Sequence, residues 1–191
     1  MTLGGVYVDK TPYPHSGSLT DPLQDGDVQS SIHRTLSATH WPADGKTDEI
    51  FVFTGFDIQE CFGSSCSFLH SLGDTTAFCA YHNVTNDNII YAYAPNVLFC
   101  YLQPTFTSAI PYNDITADAV IDAISHEQFE STTDPINGSG WNDANGEEIG
   151  DLCASTFGKL DSQGGTVRLA HGHSYAIQTE WSNVANGCAY S

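Results

Sequence analysis

Three residues of this chain have the types and spacing for hydrolytic chemistry: His126, Glu127 and Glu130, in the run His126-Glu-Gln-Phe-Glu130. Residues four apart on an α-helix point to one side, about 40° apart, so His126 and Glu130 can hold one metal ion from a single face. Glu127, beside the first ligand, can reach a water on that ion and act as general base. The pattern is a zinc-protease helix with glutamate in place of the second histidine, and zinc accepts carboxylate oxygen as it does imidazole nitrogen. The same spacing also arises by chance on solvated helices, so the surroundings decide. Asp134-Pro135 ends the helix, because proline disfavours helical backbone in the residue before it. A Gly/Asn/Asp-rich loop follows, from Ile136 to Cys153, and carries Asp143, Glu147, Glu148 and Asp151. A catalytic zinc site needs a third protein ligand and an open position, and a loop carboxylate can supply the ligand.

Three phrases, SHEQFESTTDP (125–135), GWNDANGEEIGDLC (140–153) and IQTEWSN (177–183), carry a resemblance, with EIFVFTGF (49–56), FCAYHN (78–83), IIYAYAPN (89–96) and the late Cys188 in support. From about residue 27 to the end, the chain resembles secreted bacterial and fungal proteins with a Ser-His-Glu-x-x-Glu-x-x-Thr-Asp-Pro core. Those are related to the plant phosphate-induced, exordium-like proteins. The resemblance implies a zinc-dependent peptidase of zincin-like fold. Through the plant members it implies, as the alternative, a non-enzymatic extracellular protein stabilised by its metal. The family's Glu before Ile-x-Asp/Ser-x-Cys stands at Glu148, which the resemblance therefore favours as third ligand over Asp134, Glu147 or Asp151.

The elements that must position these residues read as α+β. Residues 1–26, rich in Pro, Gly, Ser and Asp, form an extended arm, and 27–191 a single domain. Val28, Ile32 and Leu36 predict a helix from Asp27, as N-cap, to His40. Glu49–Phe56 reads as a buried strand, and Gln59–Gly73 as a stapled Cys/Gly/Ser loop. Ala77–Tyr81 and Ile89–Ala94 read as strands around a turn at Asn83–Asn88, with Val97–Leu102 a third short strand or extended run. Pro111–Asp114 is a turn before the long helix Ile115–Thr132. Thr166–Leu169 and Ser174–Glu180 read as a hairpin turning at 170–173. Strands first and then a site-bearing helix suggest a sheet packed on that helix.

The charge excludes several classes. With 23 acidic residues against 5 basic ones and a net charge of −18, nucleic acid and anionic membranes are repelled. No apolar run is long enough to span a bilayer, and no basic n-region precedes the chain, so Met1 is expected to begin a mature form. Six cysteines suit three disulfides and a secreted protein: Cys61–Cys66 by closeness, Cys79–Cys100 joining two strand segments, and Cys153–Cys188 tying the metal loop to the terminus. Sequons at Asn83 and Asn137 matter only in a eukaryotic secretory host.

Other residues carry weaker signals. His171, His173 and Tyr175 are candidates for stabilising an oxyanion; the plain alternative is a solvated turn and a packed tyrosine. Asp143, Asn145 and Glu147, with Gly146 for the turn, match part of a calcium loop; the alternative is an ordinary Asn-Gly turn. His82 could line the cleft, although a satisfied structural histidine is commoner. Trp141 and Trp181 read as core or cleft walls. A two-carboxylate glycosidase would need Glu127 and a second acid, but leaves the His126 spacing unused. The expected protein is a secreted, monomeric zinc endopeptidase acting on peptide or protein, with zinc on His126, Glu130 and Glu148 and with Glu127 as base.

Overall fold

In the computed structural model, residues 2–71, 76–97, 100, 111–169 and 171–190 are described. Their elements are β1 (Leu23–Gln24), α1 (Asp25–Thr39), β2 (Glu49–Phe56), β3 (Glu60–Phe62), β4 (Ser65–Cys66), β5 (Tyr81–Val84), β6 (Ile90–Asn96), α2 (Ile115–Thr133), a 3-10 turn (Asp151–Cys153), β7 (Val167–Arg168), β8 (Ser174–Tyr175), β9 (Glu180–Ser182) and β10 (Gly187–Ala189). The class is α+β, with mixed and antiparallel sheets.

The sheet that matters most runs β2-β6-β5, with β6 parallel to β2 and antiparallel to β5. Side chains alternate between its faces. Tyr91 and Tyr93 turn to one face and form a buried cluster with Val28 and Ile32 of α1 and with Ile89. Ala92 and Ala94 turn to the other, where α2 packs on β6 and β5. Cross-strand register puts Glu49 beside Ile90, Phe51 beside Ala92, and His82 opposite Ala92. Glu49 and His82 therefore share the alanine face and look toward α2. The small Ala92 and Ala94 of β6 let the helix approach, leaving room for the long polar side chains.

Several boundaries differ from those expected. Helix α1 begins earlier, at Asp25: Asp27 sits at its third position and accepts from the Gln24 N–H at 2.8 Å, closing the first turn. The arm's last residues are thus structured, and β1 pairs in parallel with β3. The strand expected at Ala77–Tyr81 lies at Tyr81–Val84, because the turn is made later. The Thr85 N–H donates to Ile89 O, the Ile89 N–H to Thr85 Oγ1, and Asn88 takes the left-handed conformation at φ 65°. Cys100 is helical and its N–H donates to Val97 O, so it does not extend a strand; residues 98–99 and 101–102 of that run lie outside the described residues. The stapled loop contains the hairpin β3–β4; residues 72–73 are outside the description. In the tail β7 pairs with β8 as a hairpin, but Glu180 belongs to β9, which pairs with β10. Helix α2 matches its expected span within one residue, capped by Asp114 accepting from Thr116 and Ala117 N–H.

All three expected disulfides are present: Cys61–Cys66, Cys79–Cys100 and Cys153–Cys188. Among the described residues, no helix is long and apolar enough to cross a membrane.

Candidate metal centre

Helix α2 buries an acidic face. Its buried residues are Asp118, Ala119, Asp122, Glu127, Glu130 and Ser131. Such a surface is costly to remove from water unless paired. Around the helix axis Glu130 lies about 40° from His126 and about 60° from Glu127, so it stands between them. Glu130 Oε1 accepts from the Gly150 and Asp151 N–H groups, both at 3.1 Å. This leaves Oε2 to face two imidazoles: His126 Nε2 at 3.1 Å and His82 Nδ1 at 3.7 Å.

Ligand atoms converge as two groups. His126, Glu130 and Asp151 form one, with His126 Nε2 3.6 Å from Asp151 Oδ1; His82, Glu127 and Glu130 form the other, with His82 Nδ1 3.2 Å from Glu127 Oε2. The first group opens outward: the side chains of His126 and Asp151 are 17% and 47% exposed. The second is sealed, with His82 at 3% and Glu127 at 6%. Glu148 lies on the sealed side. Its Oε1 is buried without a hydrogen-bond partner, 3.6 Å from His82 Nε2.

The donors fit a divalent cation such as zinc, which takes nitrogen and oxygen ligands together. Two ligand atoms each about 2.0–2.2 Å from a tetrahedral ion stand about 3.3–3.6 Å apart, close to the separations found in both groups. The charge balance points the same way. Among the described residues no Lys or Arg pairs with these carboxylates, and the nearby cationic groups are His82 and His126. Burial, with the charge of Glu130 added, pushes the Glu148 carboxyl up to about 7. Burial likewise raises Asp151, and lifts Glu49 and Asp122 to about 6 and Glu180 to about 8. Burial alone would lower His82, but Glu127, Glu148 and Glu130 outweigh it and hold the imidazole at about 9. His126 is also raised, its burial outweighed by Glu130, Glu127 and Asp151.

The other sequence candidates fall elsewhere. Asp134 is fully buried, and its oxygens accept from the N–H groups of Gly138, Ser139 and Gly140 and from the side chains of Ser139 and Asn142. It organises the loop entry and has no orientation left for an ion. Asp143 accepts from the backbone N–H groups of Asn145 and Glu147 and from the Asn145 side chain, the arrangement of an Asx turn, with Glu147 exposed. His173 and Tyr175 line a shallow groove of about 360 Å³ with Tyr112, Ala117 and Ile121. Ile121 points about 140° away from His126 around the helix and about 180° away from Glu130, so this groove lies on another side of α2. His171 is exposed in the β7–β8 turn. Trp141 and Trp181 are both half-buried, and the Trp181 indole donates to Asn183.

The sequence marks His82 as a cleft candidate beside the commoner structural role, and gives no role to three acidic residues near the centre: Glu49, Asp122 and Glu180. Glu49, whose Oε1 accepts from Ser131, Asp122, which accepts from the Gln178 N–H, and Glu180, with both oxygens buried and unpartnered, stand in no spacing that marks metal or acid–base chemistry. The strand alternation of β2 and β5 was the signal that could have placed Glu49 and His82 on one face. Compared with family models, with curated proteins and with solved structures, the chain matches none.

Proposed function

We propose that this protein is a secreted, zinc-dependent peptidase of zincin-like type, with the ion on His126 and Glu130 of α2 and on a carboxylate of the following loop. The observation that carries the reading is the outward-opening group His126–Glu130–Asp151, with Glu127 next to His126 in the helix and its Oε2 turned toward His82. Asp151 takes the place that the resemblance gives to Glu148, because Glu148 stands on the His82 side. Zinc held there would supply Lewis acidity toward a peptide carbonyl and toward the attacking water. Glu127 takes the water's proton and returns it to the leaving amine. Glu130, tied through Oε1 to two loop N–H groups, keeps Oε2 aimed at His126. The partly exposed side chains of His126 and Asp151 leave a way in for an extended peptide, which favours cleavage within chains.

The variant Glu127→Gln tests this. It is nearly isosteric and removes the base, not His126, Glu130 or Asp151. In a peptide-library cleavage assay the zinc-loaded variant should lose about 10²–10⁴-fold in turnover, with zinc still bound through His126, Glu130 and Asp151. Equal cleavage by wild type and variant sinks the mechanism. A wild type that binds zinc, cleaves nothing, and loses thermal stability on Glu130→Gln is instead a metal-stapled extracellular protein.

A further inference from the structure

We infer that α2 carries a second divalent-cation position, on His82 Nδ1, Glu127 and Glu130, and that Glu130 bridges it to the first. The inference rests on the site of the preceding section, with which it shares Glu130. It starts from the ring of His82. Its Nε2 lies 3.1 Å from the Asp134 carbonyl oxygen, which can only accept, so Nε2 carries a proton and donates it. Metal-bound histidines are held this way, one nitrogen donating to a carbonyl and the other left for the ion. The other nitrogen, Nδ1, aims at two carboxylate oxygens, Glu127 Oε2 at 3.2 Å and Glu130 Oε2 at 3.7 Å. A neutral imidazole has only a lone pair there, facing two anions. Something must separate the lone pair from the anions: a proton, on Nδ1 or on one of the two carboxyls, or a bound cation.

The surroundings favour the cation. Glu148 adds a further buried carboxylate beside the ring, outside the Nδ1 group itself: its Oε1 has no hydrogen-bond partner and lies 3.6 Å from Nε2. Glu49 lies on the same face of the sheet, held by Ser131. One proton neutralises one of these charges; a divalent ion neutralises two. The separations across the gap are those between ligands of one ion. Glu130 Oε2 faces both histidines while Oε1 is fixed by backbone, the geometry of a carboxylate shared by two ions. Glu127 would offer Oε2 to the second ion and keep its other oxygen for the proton transfer proposed above. The second ion would be sealed in and the first open, pairing a structural and charge-balancing cation with a reactive one.

Cobalt(II) is the probe, because it substitutes for zinc and its visible absorption reports coordination. The full chain, stripped with a chelator and reloaded, should retain two equivalents of cobalt after desalting, counted by elemental analysis. His82→Gln and His126→Gln should each retain one, and Glu130→Ala fewer than one. One equivalent in the wild type, unchanged by His82→Gln and abolished by His126→Gln, overturns the second position while leaving the first. Two equivalents with no peptide cleaved uphold the two-cation centre and overturn only the peptidase reading. The wild-type count decides even if a variant fails to fold. Magnetic coupling in the doubly loaded protein, absent when one equivalent is added, would establish the shared carboxylate.

Discussion

Glu130 works at the limit of what one carboxylate can do: two backbone donors on one oxygen and two imidazoles facing the other. That depends on the loop approaching α2 closely, and Gly150 permits it. A Cβ at this position would stand 2.7 Å from Glu130 Oε1 and 2.8 Å from His126 Nδ1. Gly150→Ala must push back the loop, the carboxylate or the ring. Disturbing the partners that hold a ligand costs about 10–100-fold in metal affinity, and a loss in that range is expected in competition with a chromophoric chelator; wild-type affinity would show that the close approach is dispensable. At this scale the sequence was legible where the chemistry was local. The spacing of His126, Glu127 and Glu130 is fixed by one helix and could be seen. The choice of Asp151 over Glu148 nearest His126, and the arrival of His82 from β5, depend on how a loop and a sheet fold back on that helix, which no local pattern encodes.

Helix α2 was recognised in the sequence by its length and by the Asp134-Pro135 stop, although the face it buries is acidic. Strands β2 and β6 were recognisable as apolar runs; the bounds of β5 were not, since Thr85 and Asn88 set the β5–β6 turn through side-chain bonds and a left-handed residue, and β1, β3 and β4 fall in segments that read as arm and loop. Polar burial recurs in β3. Glu60 is fully buried, its Oε2 has no hydrogen-bond partner, and Oε1 accepts from the Tyr81 hydroxyl, which also donates to Asp25. Burial first, and then the charge of Asp25, push the Glu60 carboxyl from 4.5 up to about 8. The folded protein thus keeps a proton that the unfolded chain releases above about 4.5. The stability this proton confers is fully present below that pH and is lost as pH rises toward 8. Glu60→Gln carries a permanent neutral mimic. Urea unfolding at pH 5, 6.5 and 8 should show the variant gaining on wild type by up to about 1.4 kcal/mol per pH unit. A difference that does not change with pH would mean that Glu60 is ionised in the folded state across that range.

Over the whole molecule, a net charge of −18 works against compaction, so covalent ties and the cations proposed above would have similar tasks. The Cys153–Cys188 bridge closes 35 residues and anchors the 3-10 turn of Asp151 to β10. Next to it, β9 lies against the same loop through the Trp181 N–H to Ile149 O bond. In the chain-entropy account, cross-linking a loop of this length is worth about 4 kcal/mol. The double variant Cys153→Ala, Cys188→Ala removes that constraint at the end of the segment presenting Glu148, Gly150 and Asp151 to α2. The chelator-treated variant should therefore unfold at lower urea by roughly that amount. Saturating zinc should restore part of the loss, because an ion joining Asp151 to His126 and Glu130 closes the same stretch of chain from its other side. The stabilisation by zinc will be smaller than in wild type at equal concentration, since the freed loop must be ordered on binding. Unfolding curves with and without zinc, for both proteins, measure the two effects separately. If zinc stabilises both equally, the loop is already held without the bridge, and Asp151 is not the residue through which the metal acts on it.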